Sequence, residues 1–255
     1  MIFKARNFSL LVCCFFFLGC ASNLYFQPID NHQQTMFYNQ GMPVLLTEKD
    51  VRVFLQPLGN DGGRPRFVIM VFNDSDRMFD FSVENIKAKL NDQDIKIFTY
   101  DELKDQIEGR AKMARVLTAL SGGLNSASAG MTAGYTQNSG TFEYYDNNSY
   151  GYGTYRGHSY NSNQAFQAQQ AINQQTEAQI SQIQNQESFA INNIQNILKK
   201  TTVTSGNKVA GIIVLDNLKC GATYQDKLNV LVNILEKDYV FDMLCGNVRL
   251  KSNSK

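Results

Sequence analysis

Two stretches of period-two alternation, 44–100 and 208–250, stand on either side of about a hundred residues that read as helix. In the first, Val51, Val53 and Leu55 alternate with Arg52, Phe54 and Gln56. A Gly/Asn/Asp/Pro turn at 59–65 then leads to 66–72, rich in Phe, Val and Ile, and Asn73-Asp74-Ser75-Asp76 ends that run. Shorter segments follow at 79–81, 83–90 and 95–98. The second stretch offers 209–215, 228–235 and 239–248, with a Glu236-Lys237-Asp238 turn before the last. Alternation of this kind, bounded by turn residues, predicts half-buried strands. Neither stretch has enough strands to close a core alone, so the two must fold together.

Together they supply about seven or eight strands, the number expected of an immunoglobulin-like sandwich. The fold class expected is therefore α+β: a discontinuous immunoglobulin-like β-sandwich, 44–100 and 208–250, interrupted by a long helical hairpin. The Phe/Val-rich strand ending in Asn73-Asp74-Ser75, followed by Phe79-Asp80-Phe81, also loosely resembles strands of immunoglobulin-like domains in bacterial envelope lipoproteins. That resemblance names no activity.

The insert, 101–200, reads as two helical arms. Ala114, Leu117, Ser121, Leu124, Ser128, Met131 and Tyr135 recur at alternating three and four spacing, extended backward by Leu103, Ile107 and Arg110. This is a weak heptad seam. The second arm aligns Ile172, Thr176, Ile180, Ile183, Glu187, Ile191, Ile194 and Leu198 on one stripe. The simplest expectation is that the two stripes face each other in an antiparallel pair.

A different face of the first arm carries Gly122, Ser126, Gly130 and Gly134, every four residues, in a pattern resembling a glycine zipper. Each helical glycine costs about 1 kcal/mol against alanine, so close approach of another backbone is the natural compensation. Three readings stand: packing against the second arm, self-association with another copy, or insertion into a membrane. Asn125 and the many hydroxyls make 116–135 a poor spanning helix, although it carries no charge.

Between the arms, 137–162 is low in complexity, with Tyr144, Tyr145, Tyr150, Tyr152, Tyr155 and Tyr160 interleaved with Gly, Asn and Ser. Polar loops of this length are expected to be structureless. Tyrosine nevertheless offers large amphipathic contact area, so the tip is also a candidate surface for gripping a protein or a glycan.

The start of the chain has the layout of a signal peptide, 1–19: Lys4 and Arg6 precede an apolar, uncharged run over 8–18. That run is shorter than the roughly 20 residues a spanning helix needs. Phe17-Leu18-Gly19-Cys20-Ala21-Ser22 resembles the lipobox of bacterial lipoproteins, departing from it at Phe17, where leucine is usual. The resemblance implies cleavage before Cys20, acyl chains on Cys20, and, through Ala21 in place of aspartate, sorting to the outer membrane of a Gram-negative cell. Two or three acyl chains anchor stably where one would be marginal. Residues 20–43, rich in Asn and Gln, are expected to be a lipidated tether; as a flexible coil its ends would lie about 25 Å apart.

Removal of the signal peptide and acylation leave Cys220 and Cys245. An up-down-up run of three strands brings them to one end, where a disulfide can form in an oxidising compartment. Two separate buried thiols are the alternative.

Catalysis finds little footing. The two histidines are His32, in the tether, and His158, in the tip, and no metal-ligand or nucleophile motif is present. Neither a cofactor nor an enzymatic activity is expected. A net charge of +1 gives no reason to expect nucleic acid as a partner. The expected role is that of an anchored structural or interaction lipoprotein acting through its hairpin on another envelope protein or on itself. The alternative is a surface adhesin or glycan-binding protein using Tyr144, Tyr145, Tyr152 and Tyr155.

Overall fold

The alternating residues of 44–61 and 64–73 fold into the centre of a six-stranded antiparallel sheet. The computed structural model describes residues 24–29, 34–61, 63–146 and 149–247; the signal peptide and Cys20 lie outside them. In chain order the strands are β1 (Tyr25–Pro28), β2 (Thr35–Asn39), β3 (Met42–Glu48), β4 (Val51–Asp61), β5 (Arg64–Asn73), β6 (Phe79–Phe81), β7 (Ile86–Leu90), β8 (Gln93–Ile95) and β9 (Ile97–Phe98). Helix α1 (Tyr100–Gly134), strands β10 (Tyr135–Asp146) and β11 (Ser149–Tyr160) and helix α2 (Ser162–Asn193) follow. The chain returns through β12 (Thr201–Val203), β13 (Lys208–Leu215), β14 (Asp226–Ile234) and β15 (Lys237–Gly246). Among the described residues the class is α+β, with two α-helices and antiparallel sheets.

One sheet has the order β2-β3-β4-β5-β13-β9 and a second the order β1-β15-β14-β7-β8. The interruption costs the first sheet nothing in continuity: β13 lies between β5 and β9, pairing Ile212 with Val68 and Val214 with Phe98. The strand alternation has its physical outcome here. Phe67, Ile69 and Val71 of β5 are fully buried, as are Leu228, Val230 and Val232 of β14 and Tyr239, Phe241 and Met243 of β15, all in one apolar cluster drawn from both sheets. The buried polar Asn73 is satisfied: its amide donates to the carbonyls of Arg77 (2.7 Å) and Val203 (3.1 Å), and its oxygen accepts from Ser75. It thereby closes the turn after β5.

The stretch 20–43, expected as a tether, is in part sheet. Strand β1 pairs with β15, Phe26 opposite Cys245, and β2 pairs with β3. Gln34 then ties the chain back to the same edge: Asp242 N–H donates to its oxygen at 3.1 Å and its amide donates to the Asp242 carbonyl at 3.1 Å. Leu24 is buried there and Phe26 packs on the core, whereas Met36, Phe37 and Tyr38 stay exposed, so β2 is held at its sheet edge by backbone pairing.

Cys220 and Cys245 are joined in a disulfide with their Cα atoms 5.7 Å apart. Beside it, Asp226 accepts from Gly221 N–H (2.6 Å) and from the Asn91 amide (2.7 Å), which hold its carboxyl below the usual aspartate range. Replacing both cysteines with alanine should lower the unfolding free energy by roughly 3 kcal/mol, the value for closing a loop of this size. Urea unfolding followed by tyrosine fluorescence measures it, and reductant should lower the parent by the same amount without affecting the variant.

The candidate interaction unit

Residues 103–195 form a compact unit separate from the one that contains the five- and six-stranded sheets. Thr99 and Glu102 start α1 with a capping box: the Thr99 hydroxyl accepts from Glu102 N–H (3.2 Å) and the Glu102 carboxylate accepts from Thr99 N–H (3.0 Å). These bonds and the Lys96 ammonium hold the Glu102 carboxyl below its ordinary range, the lysine contributing most. Asn161 caps α2, accepting from the N–H groups of Asn163 and Gln164.

The two arms pack antiparallel, but on a face other than the one the heptad pattern suggests. A Cβ placed on Gly122 would lie 2.3 Å from the Thr176 hydroxyl, one on Gly130 2.2 Å from the Gln169 amide nitrogen, and one on Gly134 2.3 Å from the Tyr160 ring. All three glycines are buried, and Ser126 between them is half-buried. The zipper-like face is therefore spent inside the chain. Its spacing of four drifts around a 3.6-residue helix by about 40° per step, so α2 crosses it obliquely. Glu187, the acidic member of the α2 stripe, is paired there with Arg115.

From Leu117 on, the expected seam on α1 points outward instead, whereas Leu103 at its start is buried and Ile107 and Ala114 are half-buried. Leu117, Leu124, Met131 and Tyr135 are 60%, 75%, 68% and 62% exposed, and Met113, Val116 and Leu120 lie beside them. At 100° per residue these seven fall within about 100° of one another, opposite Gly122. The reason is distance: with no side chain at Gly122 and Gly130, α2 comes closer on that face than leucines would permit. On α2 the expected stripe is half-buried, from Ile172 to Ile194.

The tip, expected to be structureless, is a ribbon: β10 and β11 pair over their whole length, with residues 147–148 outside the described residues. Its register explains the composition. Gly140 stands opposite Tyr155, Gly153 opposite Phe142 and Gly151 opposite Tyr144. In each case the aromatic ring lies where the glycine's Cβ would be, at 2.6, 2.4 and 2.4 Å. Rings laid over cross-strand glycines recover packing that glycine alone forfeits. The other face carries the pairs Tyr135 with Tyr160 and Tyr145 with Tyr150, at 5.1 and 4.8 Å between ring centroids. There Tyr150 donates to the Tyr152 hydroxyl; that bond, with burial and Glu143 behind it, raises the Tyr150 hydroxyl above its ordinary pKa. Tyr144, Tyr145, Tyr152 and Tyr155 are all more than half exposed.

Elsewhere, an open groove beside β7 to β9 is floored by Ile86 and Ala88 and rimmed by Lys89 with Asp94 and by Lys96 with Glu102, pairs that neutralise each other. Among the described residues no group of three or more His, Cys, Asp or Glu is gathered to hold a metal, and no helix is long and apolar enough to cross a membrane. No family model, curated protein or solved structure matches this chain.

Gly122 and Gly123 offer a paired test. Gly122→Ala should destabilise the helical unit by about 1–3 kcal/mol, because the β-branched Thr176 has little room to yield. Gly123 has open space where its Cβ would be, so Gly123→Ala should stabilise by about 0.5–1 kcal/mol. Thermal melts followed by far-ultraviolet circular dichroism read both.

Proposed function

We propose that this chain is a lipoprotein of the bacterial envelope, held at the outer membrane by acyl chains on Cys20, and that it acts as a structural module by self-association through its helical unit. The anchor is supported by the residues around Cys20 and by the basic and apolar segments before it. We read the two sheets as the layers of a β-sandwich, supported by the single apolar cluster they share. Its immunoglobulin-like character rests on the likeness of its strands.

The observation that carries self-association is the outward stripe of α1. It keeps a heptad period, lies largely within an uncharged segment, and leaves Leu117, Leu120, Leu124 and Met131 exposed by 60%, 61%, 75% and 68%. A second copy is the fitting occupant because the stripe is self-complementary in shape and period: leucine and methionine knobs at three and four spacing fill the holes of an identical helix. No charge need be desolvated in the run 116–135. Cofactor chemistry and nucleic acid play no part in this reading.

Leu117→Glu combined with Leu124→Glu should weaken self-association more than about a hundredfold, since each copy would bury unpaired carboxylates. Analytical ultracentrifugation of the full chain in detergent measures it, with circular dichroism confirming that the helices remain. A parent chain monomeric at every concentration would overturn the proposal. Cys20→Ser should move the chain from the membrane pellet to the soluble fraction of lysed cells; unchanged sedimentation would remove the lipid anchor from the account.

A further inference from the structure

The ribbon has features that neither an interaction module nor a spacer requires. Among the described residues β10 and β11 pair only with each other, so each offers a row of backbone donors and acceptors along its outer edge. Isolated two-stranded ribbons are marginal in water, and exposed edges are normally guarded by lysine, proline or bulges. Neither strand contains Lys or Pro, and the pairing runs through twelve residues a side without a register shift.

The two faces differ in charge. Side chains alternate between faces, and the register sets Thr136, Asn138, Gly140, Phe142 and Tyr144 with Gly151, Gly153, Tyr155, Gly157 and Ser159. Asp146 shares this parity; short of it the face has no charged residue, and three aromatic rings lie over its glycines. The opposite face carries the charged or titratable Glu143, Arg156 and His158 with Gln137, Ser139, Thr141 and Thr154, and five tyrosines, Tyr135, Tyr145, Tyr150, Tyr152 and Tyr160. Asp146 falls at the end of β10, at the tip of the ribbon.

Length is the third feature. Twelve residues extend about 40 Å, enough to cross a hydrocarbon layer of about 30 Å at the tilt of a barrel strand, for which about 9–11 residues suffice. Both helices run directly into the ribbon: Gly134 ends α1 and Tyr135 begins β10, while Tyr160 ends β11 and Ser162 begins α2. A ring of helix pairs would thus present a ring of ribbons.

We propose that ribbons from several copies of this chain pair edge to edge, β10 of one against β11 of the next, into a closed barrel that spans a lipid bilayer. The face bearing Phe142, Tyr144 and Tyr155 meets lipid, with Asp146 beyond it at the tip, and the face bearing Glu143, Arg156 and His158 lines a water-filled passage. Closure satisfies every backbone group, which a bilayer demands and which a lone ribbon cannot do. Because each copy offers one edge of each kind, the contact is head to tail and closes by rotation. The inference rests on the self-association proposed above and adds what the assembly does: it opens a polar path through a membrane.

The test uses the full lipidated chain, reconstituted into vesicles of phosphatidylethanolamine and phosphatidylglycerol loaded with a self-quenched anionic dye, with oligomer mass measured on the same preparation. The parent should form oligomers and release the dye. Phe142→Lys with Tyr155→Lys, on the lipid side, should reduce release at least about tenfold while the oligomer persists through α1. Thr141→Lys, on the lumen side, should keep release and shift ion preference toward anions in planar-bilayer recordings. Sealed vesicles despite oligomers would overturn the barrel and leave self-association standing, whereas a monomeric parent would overturn both. Release unaffected by the two lipid-side lysines would also overturn it. So would sealed vesicles that bind glycans through the ribbon, which would make it an adhesive surface instead.

Discussion

The absence of side chains at Gly122, Gly130 and Gly134 governs the helical unit. Each glycine costs α1 about 1 kcal/mol in helix propensity, and each is covered by a group from later in the chain: Thr176, Gln169 and Tyr160. Gly122 and Gly130 mark where α2 comes closest, and Gly134, about 120° further round α1 than Gly122, seats Tyr160 of the ribbon. Everything else on α1 follows by rotation. Leu117, Leu124 and Met131 are turned to the outside because the opposite side is taken, which makes an otherwise ordinary core stripe a surface.

The same device recurs in the ribbon, where Tyr155, Phe142 and Tyr144 cover Gly140, Gly153 and Gly151. Helix and ribbon are then locked together at their junction. Asn161 N–H donates to the Gly134 carbonyl at 2.7 Å, and the Tyr160 ring rests on Gly134 itself. One glycine thus ends a helix, accepts the return of the chain and seats an aromatic ring. The hairpin unit is held by small residues meeting large ones across two kinds of secondary structure, with the Arg115–Glu187 pair as its charged contact between the arms.

Much of the sheet-bearing unit was legible in the sequence because period-two alternation in β4, β5, β14 and β15 is written directly by burial on one face. Strands β1 and β2 were not: they are short, lie at sheet edges, and β2 is exposed at every position, so no alternation marks it. On α1 the heptad spacing misled, because it finds large apolar residues, whereas the four-residue spacing of Gly122, Gly130 and Gly134 marked the face that is packed, as one of its three readings had it. In the tip, low complexity concealed a usable signal. Glycines and aromatics mirror one another about residues 147–148, Gly140 with Tyr155, Phe142 with Gly153 and Tyr144 with Gly151, as antiparallel strands require. The pairing of Cys220 with Cys245 was legible because topology alone brings their ends together.

The docking of β1 on β15 has a mechanical side. Tension entering the chain ahead of Leu24 and directed along the strand reaches four paired residues, Tyr25 to Pro28, loaded together in shear rather than opened one bond at a time. The receiving strand is braced at the point of load, since Cys245 faces Phe26 and is covalently tied to Cys220. Force that passes β1 next meets Gln34, clamped to both backbone groups of Asp242. A pull on the chain ahead of Leu24 is therefore borne first by the edge of the five-stranded sheet, and the sheet resists being peeled open from that side.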